Sequence, residues 1–292
     1  MSSSDAAADG PERPEILAHP GYLNDSGADS WIGYAFGLGA VSKHCARRPA
    51  RRPEASVDVA EDLISFEPAT GAEVWRGKPG DVDEIVARAR RAWPAWAALP
   101  LTNRIEMVRR FANEVRKEAD KLATMIARET GKPMWEARAE VEAVVNKVEI
   151  SVRAYADRTG QKKLDGALQG TAAVRHKPHG VLAVLGPYNF PAHLPNGHIV
   201  PALIAGNVVV FKPSEKTPAT GELLAQCFHR AGLSAAVLQV LIGGPAEGQA
   251  LVGHDGIDGV LFTGSAHTGI AINRKLAQGA RHRLKVAVLD PG

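Results

Sequence analysis

Short apolar runs alternate with stretches of helical spacing along the second half of this chain. The apolar runs predict strands at 181–185, 208–211, 237–242, 260–262 and 286–289. The intervening stretches predict helices at 192–205, 218–231, 246–253 and 267–278. Continuous apolar strands separated by helices are typical of a parallel sheet whose two faces are both covered. The pattern therefore predicts an α/β fold, a doubly wound parallel sheet with flanking helices.

An extended pair and a helix are predicted ahead of this alternation. Residues 64–66 and 73–75 have the pattern of two short strands separated by turn residues. The helix that follows carries apolar residues on one face from Val82 to Trp96. Because proline lacks an N–H and crowds the preceding turn, Pro94 is expected to kink or shorten this helix.

Two further helices complete the predicted N-terminal region. The second helix begins with Thr102 as its N-cap and ends at Gly131, and the third ends near Gly160. Residues 162–166 then predict a loop or hairpin tip. Several glutamates of the third helix lie among basic residues, which is most simply a solvated face. These glutamates are Glu136, Glu140, Glu142 and Glu149.

Residues 1–60 do not have the composition of a packed domain. They are rich in Ser, Ala, Gly, Pro and Arg, and residues 43–52 form a basic cluster. The cluster is either a basic arm or transit peptide, or part of a disordered tail or of untranslated upstream sequence. We favour the second interpretation, because no aromatic residues are interleaved with the basic ones. Residues 61–292 then form the folded domain.

Composition narrows the range of functions. Of 292 residues 45% are hydrophobic, and 35 basic against 32 acidic residues give a formal net charge of +3. This balance indicates neither a nucleic-acid partner nor a membrane surface. The two cysteines, Cys45 and Cys227, predict neither a disulfide framework nor a zinc site. No apolar run approaches the ~20 residues that span a bilayer, and the first residues lack the basic start and apolar stretch typical of a signal peptide, so we expect a cytoplasmic protein.

The turn after the fourth predicted strand has the pattern of an anion-binding site. Residues 262–269 read Phe-Thr-Gly-Ser-Ala-His-Thr-Gly, between an apolar run and a helical stretch. Backbone N–H groups and the helix dipole favour an anion at such a turn, and glycine lets a pyrophosphate approach closely. A turn that merely connects strand and helix is the alternative, since short glycine patterns are weak signals.

Polar or glycine-rich residues follow three other predicted strands as well. They lie at 186–191, 212–215 and 243–245. In doubly wound sheets ligands bind beyond the carboxyl ends of the strands. Four such strand ends together favour a dinucleotide site over simple connections.

The motifs at these strand ends resemble the NAD-binding half of the aldehyde dehydrogenase superfamily. They are Pro-Tyr-Asn-Phe-Pro at 187–191, Lys-Pro-Ser-Glu at 212–215 and Phe-Thr-Gly-Ser at 262–265. The resemblance covers about residues 65 to 292. Segments 129–136, 146–147 and 193–201 most resemble the N-succinylglutamate 5-semialdehyde dehydrogenases of arginine catabolism.

The resemblance assigns roles to individual residues. Lys212 and Glu215 resemble the pair that binds the adenosine ribose, where a carboxylate favours NAD over NADP. Asn189 resembles the donor that stabilises the alkoxide formed from the aldehyde. The alternatives are a surface ion pair for the first two and an ordinary turn residue for Asn189. The complete set implied for the cofactor is Lys212, Ser214, Glu215, Gly264, Ser265, Ala266, His267, Thr268 and Gly269.

Catalysis in this superfamily needs a cysteine thiolate, NAD and a glutamate, and the chain departs from that pattern. Asp290, followed by Pro291 and Gly292, occupies the place expected for the glutamate. Cys227 lies on an apolar helical face, which indicates a buried structural thiol. No metal role is assigned to any histidine. We therefore expect a truncated or frameshifted relative that lacks the catalytic domain and is poorly stable alone.

The sequence is compatible with two functions. The first is NAD-dependent oxidation of a small aldehyde to a carboxylate, by a protein that is a possible homo-oligomer. The second is a non-catalytic NAD-binding fragment that associates with a full-length subunit.

Overall fold

The computed structural model describes residues 62–160, 162–165, 171–279 and 286–290. The segment 1–60 with its basic cluster and Cys45, and likewise Pro291 and Gly292, lie outside the described residues. The division of the chain at residue 60 therefore stays a prediction. No helix within the described ranges is long and apolar enough to cross a membrane.

Strands and helices occur in the following order along the described ranges. The strands are β1 (Leu63–Phe66), β2 (Glu73–Gly77), β3 (Lys162–Asp165), β4 (Thr171–Val174), β5 (Val181–Leu185), β6 (Val208–Lys212), β7 (Leu238–Val240), β8 (Gly259–Thr263) and β9 (Val286–Asp290). The helices are α1 (Val82–Ala98), α2 (Leu101–Lys117), α3 (Ala119–Thr130), α4 (Met134–Thr159), α5 (His193–Ile204), α6 (Pro218–Arg230), α7 (Pro245–Gly253) and α8 (Ala266–Gly279).

The five strands β5 to β9 form a parallel sheet in the order β7-β6-β5-β8-β9. The first of these strands, β5, therefore lies in the middle of the sheet. Strands β6 and β7 are added on one side of it, and β8 and β9 on the other. Helices α5 and α6 pack on one face beneath α2, α3 and α4, whereas α1, α7 and α8 pack on the other. The predicted doubly wound fold is confirmed, and the reversal of strand order falls between β5 and β8.

Burial on both faces explains why these strands read as unbroken apolar runs. Every residue of β6 is buried, and the first four residues of β5 are buried as well. Between α2 and α6 the rings of Phe111 and Phe228 stack with centroids 3.5 Å apart. The core thus runs continuously from the sheet into the helical layer above it.

The second predicted helix is in fact two helices. Helix α2 ends at Lys117 and α3 begins at Ala119, because Glu118 leaves the helical conformation with ψ of 14°. Both parts pack on α4 and α6, but α2 additionally contacts α5 and α3 additionally contacts β1. Thr102 is not the N-cap either; Pro100 holds that position.

Pro94 does not shorten α1. The helix continues past it to Ala98, and the buried Trp96 follows Pro94 by two residues. Near the end of a helix proline removes a single backbone hydrogen bond, and burial of Trp96 offsets that loss.

The predicted loop at 162–166 is also wrong in part. Residues 162–165 form β3, which pairs antiparallel with β4. Gly166 lies outside the described residues. The short strand pair β1 and β2 is confirmed, with a register shift between Ser65 and Phe66.

Candidate functional site

The carboxyl ends of three neighbouring strands converge on one edge of the sheet. Leu185 at the end of β5 pairs with Lys212 of β6 on one side and with Phe262 of β8 on the other. The Gly186 N–H donates to the Lys212 carbonyl oxygen at 3.0 Å, so the chain leaves β5 directly beside the end of β6. A Cβ on residue 186 would lie 2.7 Å from Pro195 Cγ, which explains the glycine. This edge is the topological switch point, where doubly wound sheets bind ligands.

A cavity of about 540 Å³ opens at this edge between α7 and α8. Apolar side chains of the two helices form its walls, and polar groups from the end of β6 form its rim. Its lining residues from the sheet and its loops are Leu185, Gly186, Lys212, Ser214, Glu215 and Phe262. Those from the helices are Pro245, Gly248, Gln249, Val252, His267, Thr268, Ala271, Ile272 and Lys275. Five of the residues predicted for the cofactor thus share one cavity.

Lys212 and Glu215 form a donor and acceptor pair at the rim. The Lys212 side chain is only 8% exposed, and its Nζ lies 3.8 Å from Glu215 Oε2 and donates to the Pro213 carbonyl at 3.2 Å. Burial lowers the pKa of Lys212, and the carboxylates of Glu215 and Glu247 oppose that shift. The Glu215 side chain is 41% exposed and free to accept from a ligand hydroxyl.

Gly248 of α7 makes room for the Lys212 stem. A Cβ at position 248 would lie 3.4 Å from both Cδ and Cε of Lys212. Gly248 and the apolar wall of α7 and α8 were not singled out from the sequence. The apolar spacing of these helices was visible there, but it does not distinguish a core face from a cavity wall.

The turn at residues 262–269, here called the Thr-Gly-Ser turn, leads from β8 into α8. Ser265 Oγ accepts the Thr268 N–H at 3.3 Å, and the Ser265 carbonyl accepts the Gly269 N–H at 3.0 Å. A Cβ on residue 264 would lie 2.5 Å from Phe262 Cζ, so a side chain there would force the Phe262 ring to move. Ser265, Ala266, His267 and Thr268 are exposed, whereas Gly269 is buried. The first-turn N–H groups of α8 can therefore face an anion at the switch point.

Thr263 anchors this turn to the opposite face of the sheet. Its Oγ1 lies 2.8 Å from Nε2 of His198 on α5. This contact joins the end of β8 to α5. The described residues contain no group of three His, Cys, Asp or Glu side chains arranged to hold a metal ion.

The loop at residues 186–192, here called the Asn189 loop, leaves β5 on the way to α5. Asn189 is exposed, and its Oδ1 accepts the neighbouring Phe190 N–H at 3.1 Å. This local bond orients the amide so that Nδ2 remains available as a donor. Asn189 does not line the cavity between α7 and α8, so the structure separates it from the residues predicted for the cofactor.

A buried ion pair fixes the end of the Asn189 loop. Glu140 Oε1 accepts the N–H groups of Ala192 and His193 at 3.0 and 3.1 Å, and its Oε2 accepts from Lys132 Nζ at 2.9 Å. The Glu140 side chain is fully buried, and Lys132 Nζ also lies 4.0 Å from the centroid of the Phe190 ring. A carboxylate from α4 therefore caps the N-terminus of α5.

Glu140 thus corrects the interpretation of the α4 glutamates as a solvated face. Glu142 and Glu149 are exposed as predicted, but Glu140 lies on the same helix face as the buried Ala137 and Val144. The burial of Glu140 could have been recognised from this spacing, because the residue lies three positions after Ala137 and four before Val144.

A second buried carboxylate, Glu129, caps α6 in the same way. It accepts the N–H groups of Ala219 and Thr220 at 3.1 and 2.8 Å and the Ser65 hydroxyl at 2.8 Å. Burial raises the pKa of Glu129, and these hydrogen bonds oppose the shift. The helical layer is therefore joined to the sheet domain through two buried glutamates.

The two remaining predicted residues are Asp290 on β9 and Cys227 on α6. Asp290 is the last residue of β9, and its backbone pairs with Thr263 at the same sheet edge. Cys227 is buried on α6, and burial raises the pKa of its thiol. A buried thiol with a raised pKa is a poor nucleophile, and the predicted burial of Cys227 is confirmed.

The sheet order, the switch-point cavity and the Thr-Gly-Ser turn define an α/β domain of the dinucleotide-binding class. The model of the aldehyde dehydrogenase family matches residues 57–292. The chain therefore belongs to the aldehyde dehydrogenase family.

Curated relatives named N-succinylglutamate 5-semialdehyde dehydrogenase are similar to this chain. The one from Novosphingobium aromaticivorans is 81% identical over 231 residues, which cover 79% of this chain and 48% of the relative. The one from Sphingopyxis alaskensis is 64% identical over 219 residues, which cover 75% and 46%. The chain thus spans about half the length of the curated relatives it matches.

Solved structures of the family have the same fold. A lactaldehyde dehydrogenase is 28% identical with a TM-score of 0.74, and the match covers 80% of this chain and 49% of that one. An NADP-dependent glyceraldehyde-3-phosphate dehydrogenase from Bacillus halodurans, complexed with NADP, is 27% identical with a TM-score of 0.72. That match covers 80% of this chain and 49% of the other.

Proposed function

We propose that this chain binds NAD in the cavity between α7 and α8. The observation that carries the proposal is the Lys212 and Glu215 pair at the cavity rim, beside the Thr-Gly-Ser turn. The ammonium and the carboxylate suit the two adjacent hydroxyls of a ribose, and the apolar wall suits a base. The N–H groups of the turn suit the pyrophosphate, with Gly264 allowing its close approach. Ser214, Ala266, His267, Thr268 and Gly269 complete this proposed site.

The Glu215 carboxylate favours NAD over NADP, since it would face the 2′-phosphate of NADP at close range. Titration of the chain with NAD and with NADP, followed by calorimetry, tests this preference. We expect Glu215→Gln to weaken NAD binding by about tenfold, or ~1.4 kcal/mol. The difference in affinity between NAD and NADP should become smaller in this variant. Glu142→Gln, an exposed change on α4, is the matched control and should alter neither affinity. Equal binding of NAD and NADP by the unmodified chain would refute the role of Glu215.

For the whole protein we propose NAD-dependent oxidation of an aldehyde to a carboxylate, with N-succinylglutamate 5-semialdehyde of arginine catabolism as the substrate. The names of the relatives support this choice. NAD, when bound, supplies the acceptor for the hydride. Asn189 Nδ2 would donate a hydrogen bond to the substrate oxygen as negative charge develops on it. Asp290, at the carboxyl end of β9, is the proposed carboxylate for activating water.

The buried Cys227 favours a second candidate for this chain by itself. Aldehyde oxidation in the proposed chemistry needs an accessible thiolate, and Cys227 offers none. The second candidate is a non-catalytic NAD-binding chain that associates with a full-length subunit. Mixing the purified chain with NAD and the semialdehyde and following NADH absorbance separates the two. NADH formed above background would contradict the second candidate, and NAD binding without NADH formation would support it.

We propose that the whole protein is a cytoplasmic homo-oligomer that acts on a small-molecule aldehyde. Size-exclusion chromatography with light scattering would test the oligomer directly, and a monomeric mass would contradict it.

A further inference from the structure

The Asn189 loop carries an aromatic residue on each side of Asn189, and each aromatic ring lies under an ammonium group. Lys216 Nζ lies 4.7 Å from the centroid of the Tyr188 ring. Lys132 Nζ lies 4.0 Å from the centroid of the Phe190 ring. The face of an aromatic ring attracts a cation within about 6 Å of its centroid. Both neighbours of Asn189 are therefore held by a positive charge from another segment of the chain.

The two sides of the loop differ in their other attachments. The side toward α5 is also held by hydrogen bonds, because the Phe190 carbonyl accepts the Leu194 N–H at 3.3 Å and Glu140 accepts two further N–H groups. On the side toward β5, no backbone–backbone hydrogen bond within the described part of the chain reaches residues 187–189. The position of this side therefore depends more strongly on the contact with Lys216.

Lys216 belongs to a well-anchored segment between β6 and α6. Its N–H donates to Ser214 Oγ at 3.3 Å, and the Thr217 N–H donates to the Ser214 carbonyl at 3.0 Å. Thr217 is fully buried. The neighbouring Glu215 pairs with Lys212, with 3.8 Å between Oε2 and Nζ. The segment that carries the proposed ribose contacts thus also presents an ammonium to the Asn189 loop.

The contact between Lys216 and Tyr188 joins two parts of the proposed site that the cavity does not join. Ser214 and Glu215 line the cavity between α7 and α8, whereas Asn189 does not. Because Tyr188 and Asn189 are adjacent, fixing the Tyr188 ring restricts the backbone that carries the Asn189 amide. A donor that stabilises developing charge is effective only when it is held in place before the reaction. The position of Asn189 relative to the cofactor is therefore set in part by Lys216.

We propose that Lys216 is a positioning residue, whose ammonium on the Tyr188 ring holds Asn189 in place relative to the ribose-binding segment. This inference rests on the proposed function and adds to it a residue that acts through Tyr188. The attraction needs a positive charge over the face of a ring. Lys216→Arg should therefore preserve it, because a guanidinium also stacks on aromatic faces, whereas Lys216→Met keeps a chain of similar length and removes the charge.

NMR spectroscopy of the purified chain tests this inference without any turnover. Tyr188→Phe identifies the ring signals of Tyr188, and relaxation measurements give the order parameters of the backbone amides of residues 188 and 189. We expect Lys216→Met to shift the ring signals and to lower both order parameters from the ~0.85 of a rigid backbone toward ~0.6. Lys216→Arg should restore the order parameters. Lys117→Met, a change at an exposed lysine of α2, is the matched control and should alter neither signal.

Titration with NAD on the same samples keeps the two proposals apart. Lys216 does not line the cavity, so Lys216→Met should bind NAD within about twofold of the unmodified chain, which also shows that the variant is folded. Unchanged order parameters in Lys216→Met would overturn the inference, as would an equal loss of order in Lys216→Arg. A tenfold loss of NAD affinity in Lys216→Met would overturn it too, because Lys216 would then act on the cofactor itself. A chain that fails to bind NAD would refute the proposed cofactor function, whereas loss of order in Lys216→Met alone would still support the contact with Tyr188.

Discussion

Replacing Glu140 by glutamine should destabilise the fold far more than an equivalent change on the surface of the same helix. In the structure one carboxylate oxygen accepts the N–H groups of Ala192 and His193 at the start of α5, and the other accepts from Lys132. An amide cannot satisfy both sides. If its oxygen faces the two N–H groups, its NH₂ group faces the Lys132 ammonium; if it is turned over, NH₂ faces the N–H groups.

The size of the effect follows from burial. Glu140 is fully buried and the Lys132 side chain is 8% exposed, so removal of the charge leaves a buried ammonium whose remaining carboxylate is the partly exposed Glu136, at 3.4 Å. Breaking such a pair costs about 3–5 kcal/mol. With an m value of about 2–3 kcal/mol/M, the urea midpoint of unfolding should fall by roughly 1–2.5 M.

Urea unfolding of the purified chain followed by circular dichroism measures this shift. The matched control is Glu149→Gln on α4. The Glu149 side chain is 54% exposed and pairs with Arg109 of α2. Surface pairs contribute little, so the control should leave the midpoint nearly unchanged. Adding Lys132→Met to Glu140→Gln should recover part of the loss, because the buried charge is then gone. Equal midpoints for Glu140→Gln and Glu149→Gln would refute the claim that this buried pair holds α5.

Two further predictions concern Glu129 and Gly264. The folded pKa of Glu129 is raised by burial, so its contribution to stability is fully present below its unfolded pKa of about 4.5 and is lost as the pH rises through the folded pKa. The stability of Glu129→Gln relative to the unmodified chain should therefore increase above pH 4.5 in urea titrations, and a constant difference would argue against a raised pKa. Gly264→Ala should weaken NAD binding about tenfold, because its Cβ would lie 2.5 Å from Phe262 Cζ at the cavity. The control is Gly160→Ala, whose Cβ would approach nothing closer than 3.5 Å, and similar NAD affinities for both variants would contradict the steric argument.

The alternation of apolar runs and helical stretches was enough to predict the parallel sheet. Strands buried on both faces carry an unbroken apolar signal, and their boundaries fell within two residues of those in the structure. The break between α2 and α3 was not predictable in the same way. The apolar spacing continues across Glu118. The break is seen only in the structure, where both helices pack on α4 and α6 but α2 adds contacts with α5 and α3 adds contacts with β1.

Some site residues could likewise be predicted from the sequence, whereas others could not. Lys212 and Glu215 were predictable because they follow a strand directly, and the structure brings them to one cavity. Glu140 was misinterpreted because exposed and buried glutamates look alike among basic neighbours. The buried, unsatisfied ring nitrogen of His193 was not predictable either, since it depends on what packs around the ring in three dimensions.

The two glutamates that cap α5 and α6 have a consequence for how this chain opens. Both come from one continuous helical hairpin, α3 and α4, and each supplies the acceptor for the first N–H groups of a helix on the sheet. If the hairpin detached, it would expose two helix termini and bury nothing in exchange. The hairpin and the central helices should therefore unfold as one cooperative unit, and their slowest amide hydrogens should exchange with solvent at a common rate.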